Sequence, residues 1–276
     1  MTFGFGPASM PDGWSEAVLT NKEAEDCLIP MGITSENVAS DFNISRQTQD
    51  EFAAASFQKA AAAQRAGRFK AEIVPITVKQ VDAKTGTTRE VVVDADDGIR
   101  EGVTAQSLAK LRPAFTKTGS THAGTWARRT KGCELTTVDQ GNASQVSDGA
   151  AAVVLTRRSV AKRLGLPVVG KYVCAATVGV PPRIMGVGPL HAIPKVLARA
   201  GLRVEDVDFY EINEAFASQA AYSVQELGIA PDKVNVWGGA IALGHPLGCS
   251  ELYAFRWMYV VLTCCSQLEH ARSRLD

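Results

Sequence analysis

The sequence predicts an α/β protein with helices and strands arranged in layers. Three observations predict it. Helix-forming and strand-forming stretches alternate from about residue 150 onward. A longer, less regular region with one strong helix and one hairpin precedes them. Finally, 46% apolar against 21% charged residues over 276 positions provides the material for a real core in one large domain or two modest ones.

In chain order, Ser45 is placed to cap a helix running through QTQDEFAAASFQKAAAAQRAGRF for four to five turns and stopping at Gly67. Ala71 to Val78 and Thr87 to Val93 are β-rich runs joined by the polar DAKTG, which predicts a hairpin with Pro75 on an edge. Residues 94–145 are irregular apart from one short helical pattern, SLAKL. Ala150 to Thr156 (AAAVVLT) then has the composition of a buried strand. After it follow helix SVAKRLG, strand PVVGKYVCAATV, helix PLHAIPKVLARAGL, strand VDFYEI and helix NEAFASQAAYSVQELG. Thr125 to Gln140 interrupts a run of small residues with Trp126, a basic cluster and Cys133; it is either an insertion or an ordinary surface loop.

Charge and cysteine usage narrow the function. Lys plus Arg and Asp plus Glu both total 29, which argues against a broad nucleic-acid surface. Cys27, Cys133, Cys174, Cys249, Cys264 and Cys265 form no C-x-x-C pair, so neither a disulfide scaffold nor a zinc spacing is expected. A metal site on His245, Cys249, Cys264 and Cys265 would need a ligand spacing the sequence does not show, and no metal is expected. The first residues have neither the basic nor the apolar part of a signal peptide. The most apolar stretch, Leu252 to Cys265, carries Arg256 and is too short to span a bilayer, so no membrane partner is expected.

Three segments could carry chemistry. Gly238 to Cys249, GGAIALGHPLGC, is glycine-dense and holds one imidazole, His245, suited to general acid/base work or else satisfied structurally by backbone. In Glu211 to Ala221, EINEAFASQAA, Asn213 falls where a helix N-cap is expected, so its amide either caps or holds a water or carbonyl oxygen. There Glu214 suits the helix dipole, and Phe216 is core or ligand-facing. In Gly141 to Leu155, GNASQVSDGAAAVVL, small residues lead into a strand, as a plain turn or as a wall for a long, narrow ligand.

Taken as an ordered set, NEAFA, GGAIALGHPLG and AG…NASQVSDGAAAVVL resemble the thiolases, the 3-ketoacyl-CoA and acetoacetyl-CoA acyltransferases, and DCLIPMGITSENVA resembles the peroxisomal 3-ketoacyl-CoA type. The resemblance implies a thiolase-like layered fold, incomplete here: loop domain of the first half plus the second βα half. It divides the chain into residues 1–166 (with 125–140 as an insertion), 167–250 and a divergent tail at 251–276. It implies that His245 activates a nucleophilic cysteine and helps stabilise a thioester oxyanion, while Asn213 positions the water of a second oxyanion site. Arg100 and Ser107 would meet the nucleotide end of coenzyme A; Phe115 and Ser144 would flank its pantetheine arm, and Phe216 would be a further substrate-binding residue. Coenzyme A enters as substrate and no separate cofactor is implied.

The family's CxSG-type cysteine segment and its closing CxGxG motif have no counterpart here, so the expected chain is truncated at both ends. The implied activity is thiolysis of a 3-ketoacyl-CoA in fatty-acid β-oxidation. The alternative is an inactive thiolase-like chain that binds coenzyme A or a full-length subunit. A homodimer and a peroxisomal location are likewise implied, although the last residues are RLD and not SKL.

Overall fold

The computed structural model describes residues 13–82, 85–122, 141–145 and 147–250. The Thr125 to Gln140 stretch and the tail 251–276 lie outside the described residues.

Two short helices, α1 (Glu16–Leu19) and α2 (Lys22–Asp26), lead to α3 (Met31–Asp41) and α4 (Arg46–Arg65). The Ser45 hydroxyl caps α4 by accepting from the Thr48 N–H at 3.0 Å, and the chain leaves the helix through Gly67 at φ +68°. The expected cap and stop are both in place.

The hairpin consists of β1 (Ile76–Val81) and β2 (Thr88–Val93), antiparallel with Ile76 opposite Val93 and Val81 opposite Thr88. Its first strand begins after Pro75, not at Ala71. Proline has no N–H for a ladder, so pairing starts at the next residue. One helical turn, α5 (Ala105–Leu108), overlaps only the first two residues of SLAKL and starts in a reciprocal Thr104–Ser107 capping box.

From residue 158, α6 (Arg158–Leu164) and α7 (Gly188–Ala200) are where the sequence puts them, α8 (Ala217–Glu226) starts at Ala217 and not at Asn213, and α9 (Ala240–Leu243) forms where no helix is expected. Gly165 and Gly201 end α6 and α7 in the left-handed conformation.

The expected strands between them do not form ladders. Residues 150–156 and 167–178 carry no strand pairing, and VDFYEI is reduced to one parallel bridge, Tyr210 to Val234. A strand exists only against a neighbour that takes its N–H and C=O groups, and no second strand lies beside these segments among the described residues. Val154 and Val169, composed for a buried sheet, are 85% and 82% exposed. The inner side of the 167–178 segment is nevertheless fixed to α7. Lys195 Nζ donates to the Thr177 carbonyl at 2.7 Å, and Arg199 Nη1 to that of Ala175 at 2.7 Å.

The core has three parts, the first two sharing Phe52 at their margins. Ala53, Phe57, Ala60 and Phe69 meet Leu108, Ala217 and Ile241. Ile193 and Leu197 of α7 meet Tyr210, Val224, Ile229 and Val234. Val38, Ile44, Val187 and Tyr222 close the third. Alanines let α4 lie against the Gly238 turn: at Gly238 (φ +82°) a methyl would stand 2.6 Å from the Ala60 Cβ. That glycine serves close packing of backbone on a helix, not approach to a ligand.

Candidate active site

Two of the sequence-predicted residues meet directly. Asn213 Nδ2 lies 3.4 Å from His245 Nε2, and Asn213 is exposed. The other ring nitrogen, Nδ1, is 2.7 Å from Ser250 Oγ, whose hydroxyl donates to the Pro246 carbonyl at 3.1 Å. With that hydroxyl proton committed, Nδ1–H donates to Ser250 and Nε2 keeps its lone pair toward Asn213; the tautomer is assigned from the network. His245 N–H donates to the Gln145 carbonyl at 3.1 Å, which joins the GHP turn to the GNASQ segment.

Asn213 is not the cap of α8. The capping position falls on Phe216, at φ −142° and ψ 144°, and no side chain caps there. The reason is a competing pairing: Ser144 N–H donates to the Ala215 carbonyl at 2.9 Å and Ala217 N–H to that of Asn142 at 2.9 Å, holding 214–216 extended beside 142–144. The Asn213 amide is thereby left at the surface beside His245. Glu214 does not serve the helix dipole either. It is 1% exposed, and its carboxylate accepts from Ser56 Oγ (2.6 Å), Asn235 Nδ2 (2.6 Å) and the Ile241 N–H (3.2 Å), tying α4, the 235 turn and α9 behind the site.

The 142–144 segment is held by a buried network that no motif announces. Asp50 on α4 accepts from Arg46 Nε (2.8 Å) and Asn142 Nδ2 (3.0 Å), and its Oδ1 is 2.7 Å from His122 Nε2. Asn142 Oδ1 in turn accepts from the His122 N–H at 2.9 Å. Removing one member would leave buried polar groups unpaired, so these residues fix the wall between α4 and α8. Their sequence separations, 72 and 92 positions from Asp50, hide them from any local pattern.

Phe115 and Phe216 are also brought together, edge to face at 6.2 Å between ring centroids. Phe115 is 38% exposed and its ring lies over Gly32, where a methyl would stand 2.2 Å from it. Ser144 is half-buried next to the Ala143–Phe216 bridge. Arg100 and Ser107 are exposed. Arg100 Nη1 donates to the carbonyls of Asp97 and Ile99, and the Ser107 hydroxyl is engaged in its own capping box.

Beside Asn213 a cavity of about 40 Å³ is lined by Glu211, Gly239, Gly244 and Ser250. Burial, then the neighbouring Glu214, pushes the Glu211 carboxyl up to about 8. It is a neutral donor at pH 7. Nothing in EINEAF distinguishes Glu211 from a surface glutamate, because the effect comes from its long-range neighbours.

Cys27, Cys174 and Cys249 are the thiols among the described residues. Cys27 Sγ donates to the Glu23 carbonyl and Cys174 Sγ to that of Val196. Cys249 is buried, and burial followed by the Asp96 charge pushes its thiol up, away from a reactive thiolate. Among the described residues no three His, Cys, Asp or Glu side chains gather to hold a metal ion, and no helix is long and apolar enough to cross a membrane.

Two family descriptions match the chain: the thiolase N-terminal domain over residues 6–136 and the thiolase C-terminal domain over residues 166–270. The chain belongs to the thiolase family. This thiolase chain is 54% identical over 255 residues to the peroxisomal 3-ketoacyl-CoA thiolase of Yarrowia lipolytica, a match covering 92% of it and 57% of the relative. It is 56% identical to the peroxisomal 3-ketoacyl-CoA thiolase of Homo sapiens, over 87% of its length and 52% of the relative's. Among solved structures it resembles the dimeric peroxisomal thiolase of Saccharomyces cerevisiae with a TM-score of 0.78 and 51% identity, covering 94% of this chain and 59% of that one. Human mitochondrial 3-ketoacyl-CoA thiolase gives 0.72 at 36% identity, covering 88% and 55%.

The chain therefore has the layered α/β fold class of the thiolases and spans a little over half the length of the relatives it matches. More than 40% of the solved yeast chain has no counterpart in the matched region.

Proposed function

We propose that this chain serves the 3-ketoacyl-CoA thiolase reaction of fatty-acid β-oxidation in the peroxisome, in which a 3-ketoacyl-CoA is cleaved by coenzyme A to acetyl-CoA and a shortened acyl-CoA. The observation that carries the reading is the 3.4 Å pairing of Asn213 with His245, set against relatives that bear that name. In this reading the His245 Nε2 lone pair takes the proton of an attacking thiol. Asn213 directs its amide, through a water, at the oxygen that becomes negative. Phe115, Phe216 and Ser144 flank the pantetheine arm, and Arg100 and Ser107 stand at the nucleotide end. Acyl-CoA and coenzyme A are the small-molecule partners. A second copy or a full-length subunit is the macromolecular one, in line with the dimeric yeast relative.

A second reading is favoured by the cysteines. Burial holds the Cys249 thiol protonated, and the other described thiols donate to helix carbonyls, so the chain would bind acyl-CoA without turning it over. One experiment separates the two: loss of a 3-ketoacyl-CoA in the presence of coenzyme A, beside calorimetric titration with acetyl-CoA. Turnover abolished in His245→Ala and lowered about 100-fold or more in Asn213→Ala supports catalysis. Acetyl-CoA binding weakened by Phe115→Ala, with no turnover, supports the binding chain. Neither turnover nor binding overturns both.

A further inference from the structure

A second cleft lies away from His245. It runs between α4 and α8, has a volume of about 420 Å³, and is lined by Phe52, Ala55, Val224, Ile229 and Val234, with Lys59 in its wall. The volume falls within the range of about 300–1,000 Å³ usual for small-molecule sites. None of Asn213, His245, Phe115 or Ser144 lines it.

The lining positions on α4, from Thr48 to Lys59, follow one face of the helix, which makes the slot about 16 Å long at the helical rise of about 1.5 Å per residue. Lys59 marks one end. Its ammonium donates to the carbonyls of Pro231 (2.9 Å) and Val234 (2.7 Å), leaving one of three N–H donors without a protein acceptor. No described carboxylate stands at ion-pair distance from it. Burial accordingly draws this lysine below its ordinary range.

The acidic groups of the cleft are otherwise occupied. Glu51 accepts from Gln47 Nε2 at 2.8 Å on the helix surface, and the Glu214 carboxylate is spent on Ser56, Asn235 and Ile241. A half-buried cation short of an acceptor, at the end of an apolar slot, is complementary to a chain with one anionic end.

We infer that the α4–α8 cleft binds a medium-chain aliphatic carboxylate, its carboxylate on Lys59 and its alkyl chain over Ala55, Phe52 and Val224. Isothermal titration of the full chain with octanoate and with 1-octanol tests this. Octanoate is expected to bind at least tenfold more tightly than the uncharged alcohol. Lys59→Met is expected to abolish that difference, Lys59→Arg to retain it, and Ala55→Leu, which fills the slot, to weaken both ligands. Circular dichroism confirms that each variant is folded. Equal affinity for the two ligands in the unaltered chain, no saturable binding of octanoate, or an octanoate affinity untouched in folded Lys59→Met would each overturn the inference.

Discussion

Glu211 illustrates how a residue's chemistry is set by neighbours that its own sequence context does not contain. Its carboxyl sits two positions before Asn213, and burial with Glu214 moves it from 4.5 to about 8. The folded chain therefore holds a proton that the unfolded chain releases above its ordinary value. Stability contributed in the protonated form is full below about pH 4.5 and falls by about 1.4 kcal/mol per pH unit up to about pH 8. Glu211→Gln is neutral in both states, so its thermal midpoint measured from pH 5 to 8 is expected to fall less steeply than the parent's. Parallel profiles would show that Glu211 ionises normally in the fold. At this scale the sequence exposes the residues whose motif is local. His245 in GHP and Asn213 in NEAF are legible because short patterns carry them, and they do meet. Asp50, His122 and Glu214 are not legible as partners. Asp50 meets His122 across 72 positions and Glu214 meets Ser56 across 158, and Glu214 reads as a dipole residue only if α8 starts before it, which it does not.

Among the elements, α4, α6, α7 and the hairpin are legible, whereas α1 to α3 and α9 are not expected and the strands after residue 150 do not pair, for a physical reason. A helix closes its hydrogen bonds within its own segment, so Ser45, Gly67, Gly165 and Gly201 announce its ends wherever the rest of the chain goes. A strand's partner is another segment, and the hairpin forms because its two strands are joined by one short turn. The GNASQ segment shows the same dependence in reverse: it delays the start of α8 to Ala217 by pairing with residues 215–217. Both sides of Thr125 to Gln140 are fixed by this network, since Asn142 N–H donates to the His122 carbonyl at 3.0 Å while the Asn142 side chain accepts from His122. Excision of residues 125–140 therefore shortens the connection between two positions, His122 and Asn142, that are already held together, and a shorter connection costs less closure entropy. The thermal midpoint of the excised chain is expected to equal or exceed that of the parent. A fall of about ten degrees, more than about 1 kcal/mol for a domain of this size, would show that the stretch contributes packing.

For the molecule as a whole, the decisive feature is apolar surface composed for burial and left open. Residues 150–156 and 167–173 expose Val154, Leu155, Val168, Val169, Tyr172 and Val173, and neither segment has a strand beside it among the described residues. Full burial of one such aliphatic side chain stabilises by about 1.5–3 kcal/mol, and each unpaired backbone group in a buried setting costs about as much. The N–H and C=O groups without a neighbouring strand add a template for pairing, each bond contributing about 0.5–1.5 kcal/mol net once water is exchanged for a strand. α7 holds the inner side of 174–177 through Lys195 and Arg199, so the outer side is presented on a fixed backbone and not on a collapsing coil. This predicts self-association that strengthens with concentration. Sedimentation velocity over about a hundredfold range of concentration is expected to show growth in mean mass, and Val154→Lys with Val169→Lys to suppress it by placing like charges on the open edge. Both positions are far more than half exposed, so the substitutions remove no core contact and the circular dichroism of the variant is expected to match the parent's. A parent that stays monomeric throughout, or a double variant that associates as strongly, would mean that the open segments are satisfied by water alone and that association is not driven from this edge.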